Sequence, residues 1–296
     1  MAARSLSPAA AFAVGTLGIA VFSAMDAVMK GLVLALGVYT VMLWRSLAGV
    51  LLSGAVYAGK GAPWPARAAM RLHWIRGAVS SVMALLFFWG LARVPMAQAI
   101  ALAFIAPVIA LVLSALLLKE RVAATAFGAS AIAFAGVLVI LAGQASTDAG
   151  PDAFRGALAV LASAICYAFN IVLMRAQAQL AGPVEVAFWQ SVVVSLCLLP
   201  AAPWLAARLP AEHAPMIFLA AFLAVGSLML LGWAYAHGPA SYLAPTEYTS
   251  FVWASLFGWL VFREPVSAWT LAGAMLIVGG CLFAARGRPA PLEGLP

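Results

Sequence analysis

The sequence predicts an all-α polytopic membrane protein with ten transmembrane helices, arranged as two inverted repeats of five. Three observations predict this fold. Apolar residues make up 66% of the 296-residue chain and charged residues only 8%, whereas a soluble domain carries roughly 25% charged residues. The apolar residues fall into segments of the length that a helix needs to cross a bilayer, about 20 residues. The second half of the chain also repeats the first.

Ten apolar segments remain when the chain is divided at its charges, prolines and polar clusters. They cover residues 10–32, 38–58, 73–92, 96–118, 123–142, 155–176, 184–206, 215–236, 240–262 and 267–285. They are rich in Ala, Leu and Gly and do not alternate with a period of two, so the sequence favours helices over a β-barrel. The first segment is longer than the apolar region of a cleaved signal peptide, and we expect it to be a retained helix.

A shift of 144 residues aligns the two halves. It places Trp89 on Trp233, and it places segment 119–122, with the sequence KERV, on segment 263–266, with the sequence REPV. Each half then contains five spans. Because five is an odd number, two copies of the unit in one chain enter the bilayer in opposite orientations. Inverted repeats around a shared midplane are an architecture of secondary transporters, so the repeat predicts a transporter.

The predicted halves are residues 1–146 and 147–296, and Lys and Arg residues predict their orientation. Cytoplasmic loops are enriched in these residues. With a cytoplasmic amino terminus, ten of the 16 lie on the cytoplasmic side: Arg4, Lys60, Arg67, Arg71, Arg76, Lys119, Arg121, Arg175, Arg286 and Arg288. Both termini are therefore predicted to be cytoplasmic. This bias explains the net charge of +7, so the charge gives no reason to expect a nucleic-acid partner.

No motif for catalysis, metal binding or nucleotide hydrolysis is present in the sequence. The three cysteines lie inside predicted spans without a paired spacing, and the three histidines lie at span ends. There is no H-E-x-x-H, G-x-S-x-G or phosphate-binding loop, and no ring of like charges that would form a channel filter. We therefore predict no catalytic residue, no metal site and no cofactor. An intramembrane enzyme and a channel are the disfavoured alternatives.

Two stretches of the chain resemble a known family. Segment 97–122 carries a mid-span proline and ends in a glutamate followed by the next helix, and segment 243–280 contains the E-P pair at 264–265. Both are similar to the drug/metabolite transporter superfamily, in its EamA-like branch, and the resemblance covers essentially the whole chain. It implies that helices 1, 3, 4, 6, 8 and 9 enclose a central cavity, while helices 5 and 10 pack at the back. Gly136 and Gly273 agree with close packing of helices 5 and 10.

The resemblance also implies secondary transport of a small molecule across a bacterial inner membrane. Members of this family move amino acids, sugars, nucleotide-sugars and drugs. Because the chain resembles bacterial inner-membrane exporters of amino acids, the expected function is export of neutral or aromatic amino acids by alternating access. Export of drugs, sugars or other metabolites is the alternative. The expected partners are the substrate and the lipid bilayer, and the expected assembly is a monomer or a weak dimer.

Four residues in the outer parts of helices 1 and 2 predict an outer gate. Asp26 and Lys30 are one turn apart on helix 1, so they share a face and can pair. Trp44 and Arg45 lie near the same level on helix 2. A charged side chain at the centre of a span costs at least about 2.5–3.5 kcal/mol on insertion scales, so such residues usually face a cavity or a partner.

The second half carries a less charged version of this set. Asn170, Trp189 and Gln190 occupy repeat-equivalent positions of outer-gate residues, and Glu247 lies at a similar depth. Because the repeat is inverted, these residues predict an inner gate near the cytoplasmic mouth. Interhelical hydrogen bonds of purely structural value are the alternative interpretation. Asp26 and Glu247 are carboxylates within spans that could carry protons, which makes protons a candidate coupling ion.

Large side chains near the middle of helices 3, 4 and 9 predict the lining of the cavity. These residues are Met83, Phe87, Phe104, Tyr248 and Phe251. Such a lining suits a substrate with an apolar part, which stacks on rings and adapts around methionine. Gln98 and the carbonyl groups freed beside Pro107 could hold an ammonium or a carboxylate. Packing in the core or against lipid is the alternative for each aromatic residue.

Overall fold

The structure is a computed structural model, and it describes residues 8–60, 64–110, 113, 124–145, 150–178, 180–237 and 240–286. Within these ranges the chain forms helices and no β-strand. The main helices are α1 (Pro8–Leu36), α2 (Val38–Gly59), α3 (Arg67–Leu91), α4 (Met96–Ala103), α5 (Ala124–Ala145), α6 (Gly150–Ala178), α7 (Pro183–Leu198), α8 (Ala214–His237), α9 (Ala240–Phe262) and α10 (Ala268–Arg286). Short helical turns over Leu199–Ala201, Ala202–Leu205 and Ala211–His213 connect α7 to α8.

Six of the described helices are long and apolar enough to cross a membrane. They are α1, α2, α3, α6, α7 with its extension to Leu205, and α8. The prediction of an all-α, multi-pass membrane protein is therefore confirmed. The number of ten spans, the cytoplasmic termini and the boundaries 1–146 and 147–296 remain predictions. The KERV segment at 119–122 lies outside the described residues. Below, the end of the bundle at which α1 finishes is called the outer end, and the opposite end is called the inner end.

In the largest helix contacts, a pair in one half of the chain has a counterpart five helices away. Helix α1 packs against α8 and α9, and α6 packs against α3 and α4. Helix α2 packs against α7, and α5 packs against α10. Most of these contacts join a helix from the first five to one from the second five. A large apolar core that includes Met29, Met42, Leu102, Val160 and Ile277 runs through this arrangement.

Glycine lets two of these helix pairs approach at backbone distance. A Cβ atom built on Gly136 of α5 would lie 2.6 Å from the carbonyl oxygen of Gly273 on α10, and the reverse distance is also 2.6 Å. A Cβ atom on Gly90 of α3 would lie 2.5 Å from the carbonyl oxygen of Gly156 on α6. Small residues allow such approaches between membrane helices, where dispersion contacts replace the hydrophobic effect as the driving force. The close packing expected of helices 5 and 10 is present.

Replacing Gly136 with alanine tests this contact. We expect Gly136→Ala to destabilise the protein by about 1–3 kcal/mol, the usual cost of forcing an extra carbon into a packed core. The measurement is the midpoint of thermal unfolding of the purified protein in detergent. Gly279→Ala is the matched control on α10, because a Cβ atom there would meet nothing within 4 Å. Equal midpoints for the two variants would contradict the packing argument.

Candidate functional site

The outer end of the bundle is joined by a buried ion pair between Lys30 of α1 and Glu264, which follows α9. Lys30 is 3% exposed, and its ammonium group contacts Oε1 of Glu264. The same group donates a hydrogen bond to the carbonyl oxygen of Val94 at 2.7 Å, and it lies 5.2 Å from the ring centroid of Phe262. Oε2 of Glu264 accepts a hydrogen bond from the backbone N–H of Met96 at 2.8 Å. Lys30, Val94, Met96 and Glu264 are called the outer polar cluster.

The backbone after α9 directs Glu264 into this cluster. Arg263 has a φ of 58°, a left-handed conformation that ends the helix and turns the chain. The N–H of Glu264 then bonds to the carbonyl oxygen of Gly258 at 3.1 Å. A Cβ atom on Gly258 would lie 3.2 Å from Oε2 of Glu264, so glycine leaves room for the carboxylate. The carboxylate thus reaches the amino end of α4, where the helix dipole favours a negative charge.

The partner of Lys30 corrects the sequence-based expectation. We expected Lys30 to pair with Asp26 on the same helix, but Lys30 pairs with Glu264 of the second half. Glu264 was recognised in the sequence as part of a family motif and not as a site residue. The available signal was indirect: a lysine in a span requires an acidic partner, and Glu264 is an acid at the outer end of a predicted span.

Asp26 and Arg45 are the two other outer-gate charges, and they lie together on α1 and α2. Asp26 is 1% exposed, and neither of its carboxylate oxygens has a hydrogen-bond partner in the described part of the chain. The guanidinium of Arg45 interacts with this carboxylate electrostatically. Its Nε also has no partner there, and its Nη1 reaches the sulfur of Met25 at 3.7 Å. The structure therefore brings these two charges together without a direct hydrogen bond between them.

Trp44, the fourth outer-gate residue, attaches α2 to the segment that follows α7. Its indole N–H donates to the carbonyl oxygen of Ala207 at 3.2 Å. The hydroxyl of Thr40, one turn earlier, accepts a hydrogen bond from the N–H of Ala207 at 3.1 Å. Trp44 therefore joins the two halves of the chain at the outer end, at a position separate from the outer polar cluster.

The residues predicted to form an inner gate are distributed over three places. Asn170 of α6 is 4% exposed; its Oδ1 accepts a hydrogen bond from the hydroxyl of Ser80 at 3.3 Å, and its Nδ2 lies 3.3 Å from the sulfur of Met83. Glu247 is exposed on α9 and accepts a hydrogen bond from the hydroxyl of Tyr235 at 3.0 Å. Asn170 thus contacts a predicted cavity residue, while Glu247 lies against α8.

Trp189 and Gln190 lie near the inner end of α7. The ring of Trp189 is buried, with its centroid 5.0 Å from that of Trp64 and 6.1 Å from that of His73. Gln190, the next residue, is half-buried. Trp189 therefore packs beside a polar network that the sequence analysis did not predict.

This network joins α3, α6 and α7 at the inner end. Nε2 of His73 lies 3.0 Å from Oε1 of Glu185, and Nδ1 of His73 lies 2.7 Å from Nε2 of Gln177. Arg76 donates a hydrogen bond to Oε1 of Gln177 at 2.6 Å. His73 and Gln177 are each 1% exposed. His73, Arg76, Gln177 and Glu185 are called the inner polar cluster.

The donors and acceptors of the inner polar cluster fix its protonation state. Arginine can only donate, so the oxygen of the Gln177 amide faces Arg76 and its NH₂ group faces His73. Nδ1 of His73 must then accept, which leaves the ring proton on Nε2 to be donated to Glu185. The signal for this arrangement in the sequence is weak, because a histidine at a span end is usually an interfacial residue.

The predicted cavity residues lie mainly between α3, α4 and α9. The rings of Phe104 and Tyr248 meet edge to face, with centroids 5.5 Å apart. Phe87 packs edge to face on Phe88 at 5.2 Å, and Phe251 is half-buried on α9. All of these rings except Phe88, which is itself buried, are partly buried against the main apolar core. The structure thus joins helices α4 and α9 through aromatic contact at mid-depth.

Pro107 interrupts helix α4 beside this aromatic pair. The N–H groups of Ile105 and Val108 bond to carbonyls three residues earlier, at 3.3 and 3.1 Å. Proline has no N–H to donate to the carbonyl of Ala103, so this group lacks its usual helical partner. Pro107 itself is exposed. Gln98, on the preceding turns of α4, is buried, at 6% exposure.

A cavity of about 270 Å³ lies elsewhere, between α2, α7 and α8. Its lining includes Ser53, Lys60, Ala187, Met229 and Trp233, and is almost entirely apolar. None of the seven cavity residues predicted from the sequence contributes to it. Potential metal ligands do not cluster either: no group of three or more His, Cys, Asp or Glu side chains that could hold a metal ion occurs among the residues that the structure describes.

Comparison with known families identifies the class of protein to which this arrangement belongs. The EamA-like transporter family matches the chain twice, over residues 10–142 and 154–286. The chain belongs to the EamA-like transporter family. The resemblance to this branch of the drug/metabolite transporter superfamily is therefore confirmed, and so is the prediction of a transporter rather than an enzyme.

Individual relatives of this EamA-like transporter are named for different metabolites. The chain is 27% identical over 277 residues to a pseudopaline exporter of Pseudomonas aeruginosa, covering 90% of this chain and 92% of the exporter. It is 27% identical to a riboflavin transporter of Brucella anthropi, over 73% and 76% of the two chains. It is 26% identical to an S-adenosylmethionine uptake transporter of Rickettsia bellii, over 79% and 78%.

A solved crystal structure shares the fold of this EamA-like transporter. It has a TM-score of 0.62 at 20% sequence identity, and the alignment covers 95% of this chain and 100% of the other. At this identity the likeness concerns the fold alone.

Removing one member of the buried Lys30–Glu264 pair tests the outer polar cluster. We expect Lys30→Met to destabilise the protein by up to about 3–5 kcal/mol, the cost of breaking a buried ion pair, because the Glu264 side chain, which is 20% exposed, would lose its cation. The measurement is thermal unfolding in detergent. Arg155→Ala is the control: Arg155 lies 3.4 Å from Asp152 in an exposed pair, and such pairs contribute about 0–1 kcal/mol. A loss no larger than that of the control would show that Lys30–Glu264 does not hold the helices together.

Proposed function

We propose that this chain exports small metabolites from the cytoplasm by alternating access across a bacterial inner membrane, with neutral or aromatic amino acids as its substrates. One observation carries this proposal. A polar cluster lies at each end of the bundle, and each cluster joins the first family match, residues 10–142, to the second, residues 154–286. The outer polar cluster joins Lys30 to Glu264, and the inner polar cluster joins His73 to Gln177 and Glu185. If one repeat rocks against the other, opening either end requires its cluster to separate.

The distance between the clusters supports their assignment to opposite gates. His73 lies near the beginning of α3, and Val94 follows the end of this helix at Leu91. The 18 residues from His73 to Leu91 correspond to about 27 Å at 1.5 Å per residue, which is close to the thickness of the hydrocarbon core. We assign the outer polar cluster to the periplasmic gate and the inner polar cluster to the cytoplasmic gate.

The substrate class is supported by the contacts at mid-depth. Phe104 and Tyr248 meet between α4 and α9, and the interruption at Pro107 frees a carbonyl on the same helix. Aromatic rings beside unpaired carbonyls suit a molecule with an apolar side chain and a polar head. The names of the relatives support transport of metabolites in general, and they include both an exporter and an uptake transporter. Drugs, sugars and other metabolites are therefore kept in the test.

The test of the proposed function is uptake into liposomes that contain the purified chain. The panel consists of labelled neutral, aromatic, acidic and basic amino acids, with a sugar, riboflavin and a cationic dye. We expect saturable movement of neutral or aromatic amino acids, absent from protein-free liposomes. Movement of the sugar, riboflavin or the dye without amino acids would keep the transporter and contradict its proposed substrates.

The inner gate is tested by His73→Phe, which keeps a ring beside Trp189 and removes both hydrogen bonds of the histidine. We expect faster labelling of a Met83→Cys variant by a hydrophilic maleimide from the inner side, with the native cysteines replaced by serine. Met83 lies 3.3 Å from Asn170 on the path that this gate would close. His213→Phe is the control, because His213 pairs with the exposed Glu212 at 3.5 Å and lies outside the cluster. Unchanged labelling in His73→Phe would argue against a gate there.

We further propose that protons drive export and that Glu247 carries them. Glu247 lies at the surface of the described part of the chain and accepts a hydrogen bond from Tyr235, whereas Asp26 is buried; we therefore assign the proton to Glu247. Glu247→Gln should abolish transport driven by a pH gradient while leaving counterflow exchange of substrate intact. Driven transport at the wild-type rate in Glu247→Gln would remove Glu247 from the coupling mechanism.

A further inference from the structure

Asp26 is a buried charge and Arg45 is a half-buried one, and both have buried polar atoms whose hydrogen-bonding capacity is unused. Both carboxylate oxygens of Asp26 and the Nε of Arg45 lack a partner among the described residues. The two groups interact electrostatically and form no direct hydrogen bond. A buried charge in this condition is costly in a membrane, and an unsatisfied buried donor or acceptor adds a further penalty. If Asp26 and Arg45 served only to hold two helices together, we would expect a direct hydrogen bond between them.

The neighbouring lysine shows that the fold is able to satisfy a charge at this depth. Lys30, one turn away on α1, has a carboxylate, a carbonyl oxygen and an aromatic ring around its ammonium group. The fold thus satisfies the charge of Lys30 and leaves the carboxylate one turn away without a hydrogen-bond partner. The hydroxyls of Thr16 and Ser23 are also buried without a partner, and they lie on the same face of α1, because positions 16, 23, 26 and 30 fall within about 80° at 100° per residue.

The position of Asp26 and Arg45 also suits a ligand site. Asp26 lies ten residues before the end of α1, which is about 15 Å from the outer end of that helix. Phe104 lies eight residues from the outer end of α4, about 12 Å from that end by the same measure. Helix α1 packs against α8 and α9 of the second half. Lys30 and Met96 contact the same Glu264 carboxylate, so Asp26 lies about one turn inward of the outer polar cluster. It also lies at the junction of the two repeats, where transporters bind their substrates.

We propose that Asp26 and Arg45 bind the zwitterionic head group of an α-amino acid. In this site the carboxylate of Asp26 accepts hydrogen bonds from the substrate ammonium, and the guanidinium of Arg45 donates to the substrate carboxylate. The two groups have opposite charges and form no direct hydrogen bond with each other, so a ligand that carries its ammonium and its carboxylate on the same carbon atom satisfies both at once. The proposal rests on the proposed function, which it deepens by assigning the two charges that would select amino acids. A simple cation or anion would leave one of the two protein charges unpaired.

The test compares three molecules that share one side chain. They are phenylalanine, phenethylamine, which lacks the carboxylate, and 3-phenylpropionate, which lacks the ammonium. Each competes with counterflow of labelled phenylalanine in liposomes that contain the full chain. We expect the wild-type protein to be inhibited by unlabelled phenylalanine and about 10- to 100-fold less well by either analogue, the range that corresponds to loss of one charge-assisted hydrogen-bonded contact.

The two substitutions should change this preference in opposite directions. Arg45→Met should lower the affinity for phenylalanine about 10- to 100-fold and make phenethylamine an equally good competitor. Asp26→Asn should lower the affinity for phenylalanine by a similar factor and make 3-phenylpropionate a better competitor than phenethylamine. Arg45→Lys, which keeps the charge but not the planar fork, should retain the order of preference at lower affinity and serves if Arg45→Met does not fold. Arg155→Met is the control for loss of a positive charge outside both polar clusters, and it should leave the ratio of the three affinities unchanged.

The outcomes separate this inference from the proposed function. In one outcome the wild-type protein moves phenylalanine, while both variants lower the affinity for all three molecules by the same factor. In that case the pair is structural, and the inference is overturned while the proposed function stands. Intact counterflow in Asp26→Asn, with loss of gradient-driven transport, would assign Asp26 to protons and also overturn it. If the wild-type protein moves no amino acid but moves another member of the panel, the proposed substrates fail and the head-group site fails with them.

Discussion

A charged side chain in the hydrocarbon core has no water to solvate it, so its position depends on a partner within the protein. In this chain the ion pair between Lys30 and Glu264 satisfies that constraint across 234 residues of sequence. The second carboxylate oxygen of Glu264 accepts a hydrogen bond from the backbone N–H of Met96 at the start of α4. A single glutamate therefore fixes α1, the amino end of α4 and the exit from α9 relative to one another. The close packing of the outer end follows from this one carboxylate.

The two ends of the bundle satisfy their polar groups by different means. At the outer end a buried lysine pairs with a half-buried glutamate, and separating the pair exposes two charges. At the inner end a neutral histidine and an amide relay hydrogen bonds between Arg76 and Glu185. The two ends of the bundle are thus closed by chemically different contacts, an ion pair at the outer end and a hydrogen-bond network at the inner end. For a transporter this difference matters, because the free energy needed to open each side is set by the partners of these few side chains.

Much of the fold could be predicted from the sequence because the bilayer imposes strong rules on length and composition. The apolar segments gave the helices, and the glycines of helices 5 and 10 indicated where the backbones meet. The site was harder to predict because polar partners depend on which helices become neighbours. Helical spacing showed that Asp26 and Lys30 can pair, but in the structure Lys30 contacts Glu264 on a distant segment. The inner polar cluster was missed because His73, Gln177 and Glu185 lie on three helices whose contacts the sequence does not state.

The central claim is that the outer and inner ends open in alternation. The most direct measurement is the distance between spin labels in nanodiscs, with one pair at the outer end and one at the inner end. Leu34→Cys and Val261→Cys are exposed positions for the outer pair, and Arg71→Cys and Gly182→Cys for the inner pair. The account predicts two populations, in which a long distance at one end accompanies a short distance at the other, with proportions that change when substrate is added. Distances that widen together at both ends, or that stay the same with and without substrate, would contradict it.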